Sequence, residues 1–148
     1  QRLLELPAGL LDIHAEDELD CAKRELQEEA GLAAEEWGVL VDLVTSPGFA
    51  EEAVRVFIAR GLREVDRPEA EDEEADMRLS WVGLDDAAGK ALAGEITNSI
   101  AVSGILAAAH LLASGASPRS VDEPFRFRPA SLANRRSAQG IVPDMKRI

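Results

Sequence analysis

Residues 16–30, EDELDCAKRELQEEA, have the spacing of apolar residues that is typical of an amphipathic helix. The apolar positions recur every three or four residues: Leu19, Ala22, Leu26 and Ala30. Asp17 is a residue type that caps helix N-termini, and Gly31 is the type that most often follows a helix end. We therefore predict a helix from Glu16 to Ala30 that packs one face against a core.

Three glutamates of this helix, Glu25, Glu28 and Glu29, are spaced so that their carboxylates lie on one face. Like charges at this spacing destabilise a helix by roughly 0.2–0.5 kcal/mol per pair. Lys23 and Arg24 are the only cations of the segment. A bound Mg²⁺ or Mn²⁺ would relieve the repulsion, whereas a solvated acidic surface would tolerate it. Both interpretations stay open, and the three glutamates alone favour the solvated surface.

The rest of the chain alternates between short strand patterns and helix patterns. Strand patterns are found at residues 2–6, 36–44, 53–60 and 77–82. Helix patterns are found at residues 84–95 and 97–113, and Asn98 lies near the start of the second. Strands followed by helices predict an α+β or mixed α/β layer architecture. An acidic loop, 69–76, precedes the last strand pattern.

The charge is distributed unevenly along the 148 residues, which are enough for one domain. Residues 1–114 hold 9 Lys and Arg against 25 Asp and Glu, whereas residues 115–148 hold 7 against 3. An acidic body disfavours nucleic-acid binding and suits a divalent cation. No apolar run approaches the ~20 residues of a membrane span, so we expect no membrane partner. The single cysteine, Cys21, predicts a reducing cytoplasmic location and a small buried side chain.

A wider pattern surrounds the three glutamates. Gly9, Glu16 and the run RELQEEAGL at residues 24–32 resemble the Nudix box, a glycine and glutamate followed by R-E-U-x-E-E-x-G-U with U aliphatic. The spacer between Gly9 and Glu16 has six residues, whereas the common box has five. The resemblance implies an α/β fold, an α/β/α sandwich with a mixed sheet, and hydrolysis of a nucleoside diphosphate linked to another moiety.

The resemblance also implies roles for the box residues. It makes Glu25 and Glu29 direct ligands of Mg²⁺ or Mn²⁺, with Glu28 either a further ligand or a support. The backbone carbonyl of Ala8 is expected to complete the site. Arg24 is expected to hold a carboxylate by charge-assisted hydrogen bonds.

Two further residues of the box are expected to shape the backbone or the frame of the site. Gly9 is expected to lie against the substrate. Gly9 and Gly31 permit a tight backbone conformation at the loop and at the helix end. Glu16 is expected to have a structural role, because the extra spacer residue shifts its approach.

Three other stretches resemble the ADP-ribose pyrophosphatase group, especially its bacterial members. They are TSPGFAEE at residues 45–52, ELPAGLLD at residues 5–12 and GEITNSIA at residues 94–101. Pro47 stands sixteen residues after Gly31, an offset that resembles this group, and the six-residue spacer resembles actinobacterial members. An ordinary turn between two strands is the alternative for Pro47.

Further site residues follow from this comparison or from their position near the loop. Glu73 matches the position of the group's water-handling loop glutamate, with Glu74 as the alternative. Phe49, in the loop after Pro47, is a candidate for lining the substrate pocket. Arg55 is predicted to meet a phosphate.

The resemblance extends over residues 2–113, so we predict a Nudix domain at residues 1–114 and an irregular, solvated basic tail at residues 115–148. Relatives have further N-terminal strands that help form a homodimer, and we expect this chain to lack them. Three functions stay open: a pyrophosphatase of ADP-ribose, a hydrolase of another nucleotide sugar or dinucleotide, and a non-catalytic module that senses ADP-ribose. The intact box counts against the third.

Overall fold

The computed structural model describes residues 3–11, 16–67, 78–129 and residue 138. Its helices and strands follow in the order α1 (Glu18–Ala30), β1 (Leu32–Val44), β2 (Ala53–Glu64), α2 (Leu84–Leu92) and α3 (Ser99–Ser114). None of these helices is long and apolar enough to cross a membrane. The combination of helices and a small sheet confirms the predicted α/β class.

Helix α1 has the caps that the sequence predicts. The Asp17 side chain accepts a hydrogen bond from the backbone N–H of Leu19 at 2.9 Å, so the helix begins at Glu18, two residues after the predicted start. Gly31 ends it with a left-handed φ of 65°, and its N–H donates to the carbonyls of Gln27 and Leu26. Leu32 then starts β1 without an intervening loop, which fixes the helix end to the sheet.

Strands β1 and β2 form an antiparallel hairpin. Their register runs from Leu32 opposite Glu64 to Val44 opposite Ala53, with an irregularity between Val39 and Val41. Both strands exceed the predicted ranges, because pairing continues at the open end of the hairpin beyond the apolar runs. The hairpin is the only sheet in the described residues, so the predicted mixed sheet is not seen there.

Two predicted strands are wrong in the parts that the structure describes. Residues 3–6 and 78–82 contain no strand. A strand exists only where its backbone N–H and C=O groups find a partner, and the described residues pair no strand with either segment. Leu4, Leu79 and Trp81 are accordingly exposed.

Helices α2 and α3 pack against each other around a small apolar cluster. The cluster consists of Ala87, Ile96, Ala101 and Ile105. Asn98 caps α3 by accepting a hydrogen bond from the backbone N–H of Ala101 at 2.9 Å, and its amide donates to the Glu5 carboxylate at 3.1 Å. Leu6 packs against the same cluster. The stretches at residues 5–12 and 94–101, both singled out in the sequence, therefore contact each other.

Residues 116–129, which we call the C-terminal strap, lie against β1. The backbone groups of Arg119 and Val39 exchange two hydrogen bonds of 2.9 and 3.1 Å. Pro118 packs directly on Gly38, where an added Cβ would lie 2.5 Å from the proline Cγ. The strap has no helix or long strand, and most of its residues are exposed. Specific contacts nevertheless attach it to the hairpin.

Candidate active site

Arg24, on α1, lies between three carboxylates, one just before the helix and two in its second half. Its Nη1 donates to Glu25 Oε1 at 2.6 Å and to Glu28 Oε2 at 3.0 Å, and its Nε donates to Glu16 Oε1 at 3.0 Å. The hydrogen bond that Arg24 donates to Glu16 is the main cause that raises the pKa of Arg24. Glu28 is 7% exposed, so its charge needs this partner. One guanidinium thus fixes the relative positions of three acidic side chains.

The backbone before the helix closes on the same face of α1. The N–H of Ala8 donates to Glu29 Oε2 at 3.0 Å. A Cβ added to Gly9 would lie 2.1 Å from the carboxyl carbon of Glu25, so only glycine allows this approach. The structure therefore brings Ala8 and Gly9 next to Glu25 and Glu29. Ala8 meets Glu29 through its N–H, whereas the sequence pointed to its carbonyl.

The residue types of this face fit a divalent cation. Carboxylate oxygens on successive helical positions are hard ligands of the kind that Mg²⁺ and Mn²⁺ take. The absence of a side chain at Gly9 lets the Glu25 carboxyl group lie directly against the loop backbone. The described residues hold no group of three or more acidic, histidine or cysteine side chains already arranged to enclose a metal ion. The individual ligand assignments to Glu25, Glu28 and Glu29 stay predictions.

The end of α1 is tied to the end of β2. Arg67 Nε donates to the carbonyl of Glu28 at 2.6 Å, and Gln27 donates to the carbonyl of Asp66 at 3.0 Å. These bonds hold residues 66 and 67, which precede the acidic loop in the sequence, beside the end of α1. Glu73 and Glu74, the predicted water-handling residues, lie outside the described residues.

Pro47 and Phe49 line an open groove of about 620 Å³. One wall is the turn of the hairpin, in which the Ser46 carbonyl accepts hydrogen bonds from the N–H groups of Phe49 and Ala50. The other wall is formed by residues 126–128 of the C-terminal strap. Phe49 is 95% exposed, so its ring is available to a ligand. The turn that contains Pro47 therefore forms one wall of the groove.

Arg55 does not fit the predicted contact with a phosphate. Its side chain is 3% exposed, and its Nε and Nη2 donate to both oxygens of Asp42 at 2.8 and 3.0 Å. Its Nη1 donates to the carbonyl of Glu123 at 2.7 Å, and its guanidinium lies 4.8 Å from the centre of the Phe125 ring. Arg55 holds the hairpin and the strap together, because these contacts occupy its donors.

The sequence did not predict this second network, which joins Arg55, Asp42, Arg119, Glu123 and Phe125. Asp42 lies directly opposite Arg55 in the hairpin register, so correct pairing of the two strands would have indicated the ion pair. Arg119 adds a 3.1 Å contact to Asp42. The hydrogen bond from Arg55 is the main cause that lowers the pKa of Asp42. Nothing in the sequence near Glu123 or Phe125 indicates their contacts.

Cys21 is a buried structural residue, as predicted. Burial raises the pKa of its thiol to about 12, and the nearby Glu16 acts in the same direction. A thiol with this pKa carries almost no thiolate at neutral pH, so it is a poor nucleophile. The chemistry of the site therefore depends on carboxylates.

Comparison with known proteins gives a family and three relatives. The NUDIX domain model matches residues 1–100. An ADP-ribose pyrophosphatase of Mycobacterium tuberculosis (strain ATCC 25618 / H37Rv) is 53% identical over 137 residues, which are 93% of this chain and 66% of the relative. A methanol dehydrogenase activator of Bacillus methanolicus is 38% identical over 85 residues, 57% of this chain and 45% of the relative.

The third relative is an ADP-ribose pyrophosphatase of Bacillus subtilis (strain 168), 39% identical over 85 residues, again 57% of this chain and 45% of the relative. The chain thus spans about two thirds of the length of the first relative and under half of the other two. The matched residues include the whole of α1 with its glutamates and the Ala8–Gly9 loop. The chain belongs to the Nudix family.

Proposed function

We propose that the protein hydrolyses the pyrophosphate bond of ADP-ribose to AMP and ribose 5-phosphate, with Mg²⁺ or Mn²⁺ as cofactor. The observation that supports it most is the arrangement of the box: Arg24 fixes Glu25 and Glu28, and Ala8 orients Glu29. The 53% identity to an ADP-ribose pyrophosphatase supports the choice of substrate. The intact glutamates argue against a module that only senses ADP-ribose.

In this proposal Glu25, Glu28 and Glu29 hold the divalent cation, which would neutralise phosphate oxygens and lower the pKa of a bound water. Arg24 restrains two of these carboxylates, so less conformational entropy is lost when the transition state forms. The oxygen of water forms the new bond to phosphorus, and the bridging P–O bond of the pyrophosphate breaks. Glu73, or Glu74 as the alternative, accepts the proton of that water.

The substrate side of the proposal uses the groove at the hairpin turn. Pro47 and Phe49 line it, and an exposed aromatic ring suits a base or a ribose face. Arg126, on the opposite wall, offers a charge of the sign that phosphates require. The homodimer and the cytoplasmic location stay predictions from the sequence.

A substrate panel tests the proposal. We expect the highest kcat/KM for ADP-ribose when it is compared with ADP-glucose, NADH, diadenosine polyphosphates and nucleoside triphosphates. A preference for triphosphates or for other nucleotide sugars would reject the substrate and leave the reaction class intact. Tight binding of ADP-ribose with no release of AMP in the presence of Mg²⁺ or Mn²⁺ would favour the sensing module.

The role of the loop glutamate is tested separately. Glu73→Gln should lower kcat by about 100-fold or more, because general acid–base catalysis is lost, while KM and Mn²⁺ affinity stay near the wild-type values. Glu74→Gln is the matched control. If Glu74→Gln shows this pattern and Glu73→Gln does not, the assignment moves by one residue, and if neither does, the base lies elsewhere.

A further inference from the structure

Arg128 connects the C-terminal strap to the start of the box helix. Its Nη1 lies 3.0 Å from Glu18 Oε1, and its Nη2 donates to the backbone carbonyl of Glu16. Glu16 and Glu18 flank the N-cap, Asp17, at the point where α1 begins. The contact therefore lies on the backbone that sets the position of the first helical turn.

The backbone that carries Arg128 is itself fixed. The N–H of Arg128 donates to the carbonyl of Phe125 at 3.1 Å, and the Phe125 ring stacks against the buried guanidinium of Arg55. Further back, Pro118 and Arg119 bind β1. Arg128 thus reaches α1 from a segment that is anchored to the hairpin at several points.

Glu16 links this contact to the carboxylates of the site. Its backbone carbonyl accepts from Arg128, and its side chain accepts two hydrogen bonds from Arg24 at 3.0 and 3.3 Å. Arg24 in turn holds Glu25 and Glu28. A displacement of Glu16 would therefore be passed to two of the proposed metal ligands through one guanidinium.

Helix stability alone does not account for a cation at this end. The N-terminus of a helix carries a partial positive charge, so an arginine there is unfavourable unless an acid offsets it. Glu18 supplies that acid, and its side chain is 15% exposed. The ion pair between Arg128 and Glu18 therefore fixes the strap relative to α1 but adds little or nothing to the stability of the helix.

We propose that Arg128 is a positioning residue that holds Glu16, and through it Arg24, in the arrangement that the metal-binding carboxylates need. This inference rests on the proposed function. It gives a role in the reaction to a residue of the C-terminal strap, which lies outside both the box and the matched residues 1–100. Loss of an outer contact of this kind typically lowers metal affinity or activity by about tenfold or more.

The test compares Arg128→Ala with Arg119→Ala. Both arginines lie on the strap, both pair with carboxylates, and their side chains are similarly exposed, but only Arg128 contacts α1. Arg128→Ala should weaken Mn²⁺ binding, measured by electron paramagnetic resonance without substrate, by about tenfold. It should lower kcat by a similar factor with KM for ADP-ribose unchanged. Arg119→Ala should leave Mn²⁺ affinity within about twofold of wild type.

Two further variants separate positioning from a contact with substrate. Arg128→Lys keeps the ion pair with Glu18, so it should restore most of the Mn²⁺ affinity. Glu18→Gln should reproduce part of the effect of Arg128→Ala, and the double variant should be no worse than Arg128→Ala, because both changes affect the contact between Arg128 and Glu18. A higher KM with unchanged kcat and Mn²⁺ affinity in Arg128→Ala would overturn the inference, since it would show that Arg128 acts only through the groove.

Failure of the proposed function gives a different result. If the wild-type protein does not cleave ADP-ribose, the proposed function is rejected, but Mn²⁺ affinity still tests the link from Arg128 to the carboxylates. Hydrogen exchange adds a second such readout: amides of residues 18–24 should exchange faster in Arg128→Ala than in Arg119→Ala. Equal exchange and equal Mn²⁺ affinity in the two variants would overturn the positioning role.

Discussion

Arg24 and Arg55 each lie at the centre of a network of acidic groups, yet the two networks differ in exposure and in their use. The side chain of Arg24 is 30% exposed and contacts the carboxylates of Glu16, Glu25 and Glu28, whose side chains are 11%, 14% and 9% exposed. The side chain of Arg55 is 3% exposed and joins a strand, a second strand and the C-terminal strap. The guanidinium of Arg24 thus stays partly accessible, whereas that of Arg55 is enclosed by its partners.

The difference teaches that an arginine beside acids does not by itself indicate a phosphate site. The sequence predicts that Arg24 holds a carboxylate and that Arg55 meets a phosphate, yet in the structure both arginines contact carboxylates. Arg55 has a bidentate acidic partner, a backbone acceptor and an aromatic ring. The box network should therefore control turnover, and the Arg55 network should control stability.

The largest expected effect tests the first half of that statement. Glu29→Gln should lower kcat by about 100-fold or more, because it removes a charge that acts on the transition state, while the unfolding midpoint changes little. Steady-state kinetics and urea unfolding measure the two quantities. Glu36→Gln, an exposed glutamate of β1, is the matched control. Near-wild-type turnover by Glu29→Gln would reject the site assignment.

Arg55→Met tests the second half. Among the described residues, removal of the guanidinium leaves Asp42 with its ion pair to Arg119 and frees the Glu123 carbonyl, so we expect a loss of about 3 kcal/mol in the free energy of unfolding. The fraction that stays folded should keep most of its kcat. Arg60→Met, an exposed arginine on the same strand, should cost far less. A fall in kcat without a loss of stability would show that Arg55 does contact substrate.

The sequence predicts the box helix well because its signals are local. The apolar stripe, the Asp17 cap, the Gly31 end and the four box residues that interact with Arg24 or the loop all lie between residues 16 and 31. The strap was missed because its contacts join residues far apart, such as Arg119 with Asp42 across 77 positions and Arg55 with Glu123 across 68. Periodicity carries no information about such pairs.

Gly9→Ala sharpens the comparison by perturbing the box network without removing a charge. The new methyl group would overlap the Glu25 carboxyl group, which must move away from its place beside Arg24. We expect kcat to fall about tenfold, in the range of misplaced catalytic groups. Gly89→Ala on α2, with open space around its Cβ position, is the control and should leave kcat unchanged. Equal kcat in the two variants would show that the position of Glu25 is not limiting.

The smallest expected effect concerns acid stability and the pair between Asp42 and Arg55. Because the pKa of Asp42 is lowered in the folded protein from its ordinary 3.8, its ion pairs contribute stability that is fully present above that value. The contribution is lost as the pH falls below 3.8 towards the lower folded pKa. Asp42→Asn lacks this titration, so between pH 6 and pH 3 its unfolding free energy should fall less than that of the wild type, by up to about 1 kcal/mol. Urea unfolding at both pH values measures the difference, and Asp66→Asn, an exposed aspartate beyond the end of β2, is the control. An identical acid dependence in the wild type and Asp42→Asn would show that the charge of Asp42 contributes nothing. The Arg55 network would then hold the strap through its backbone and aromatic contacts.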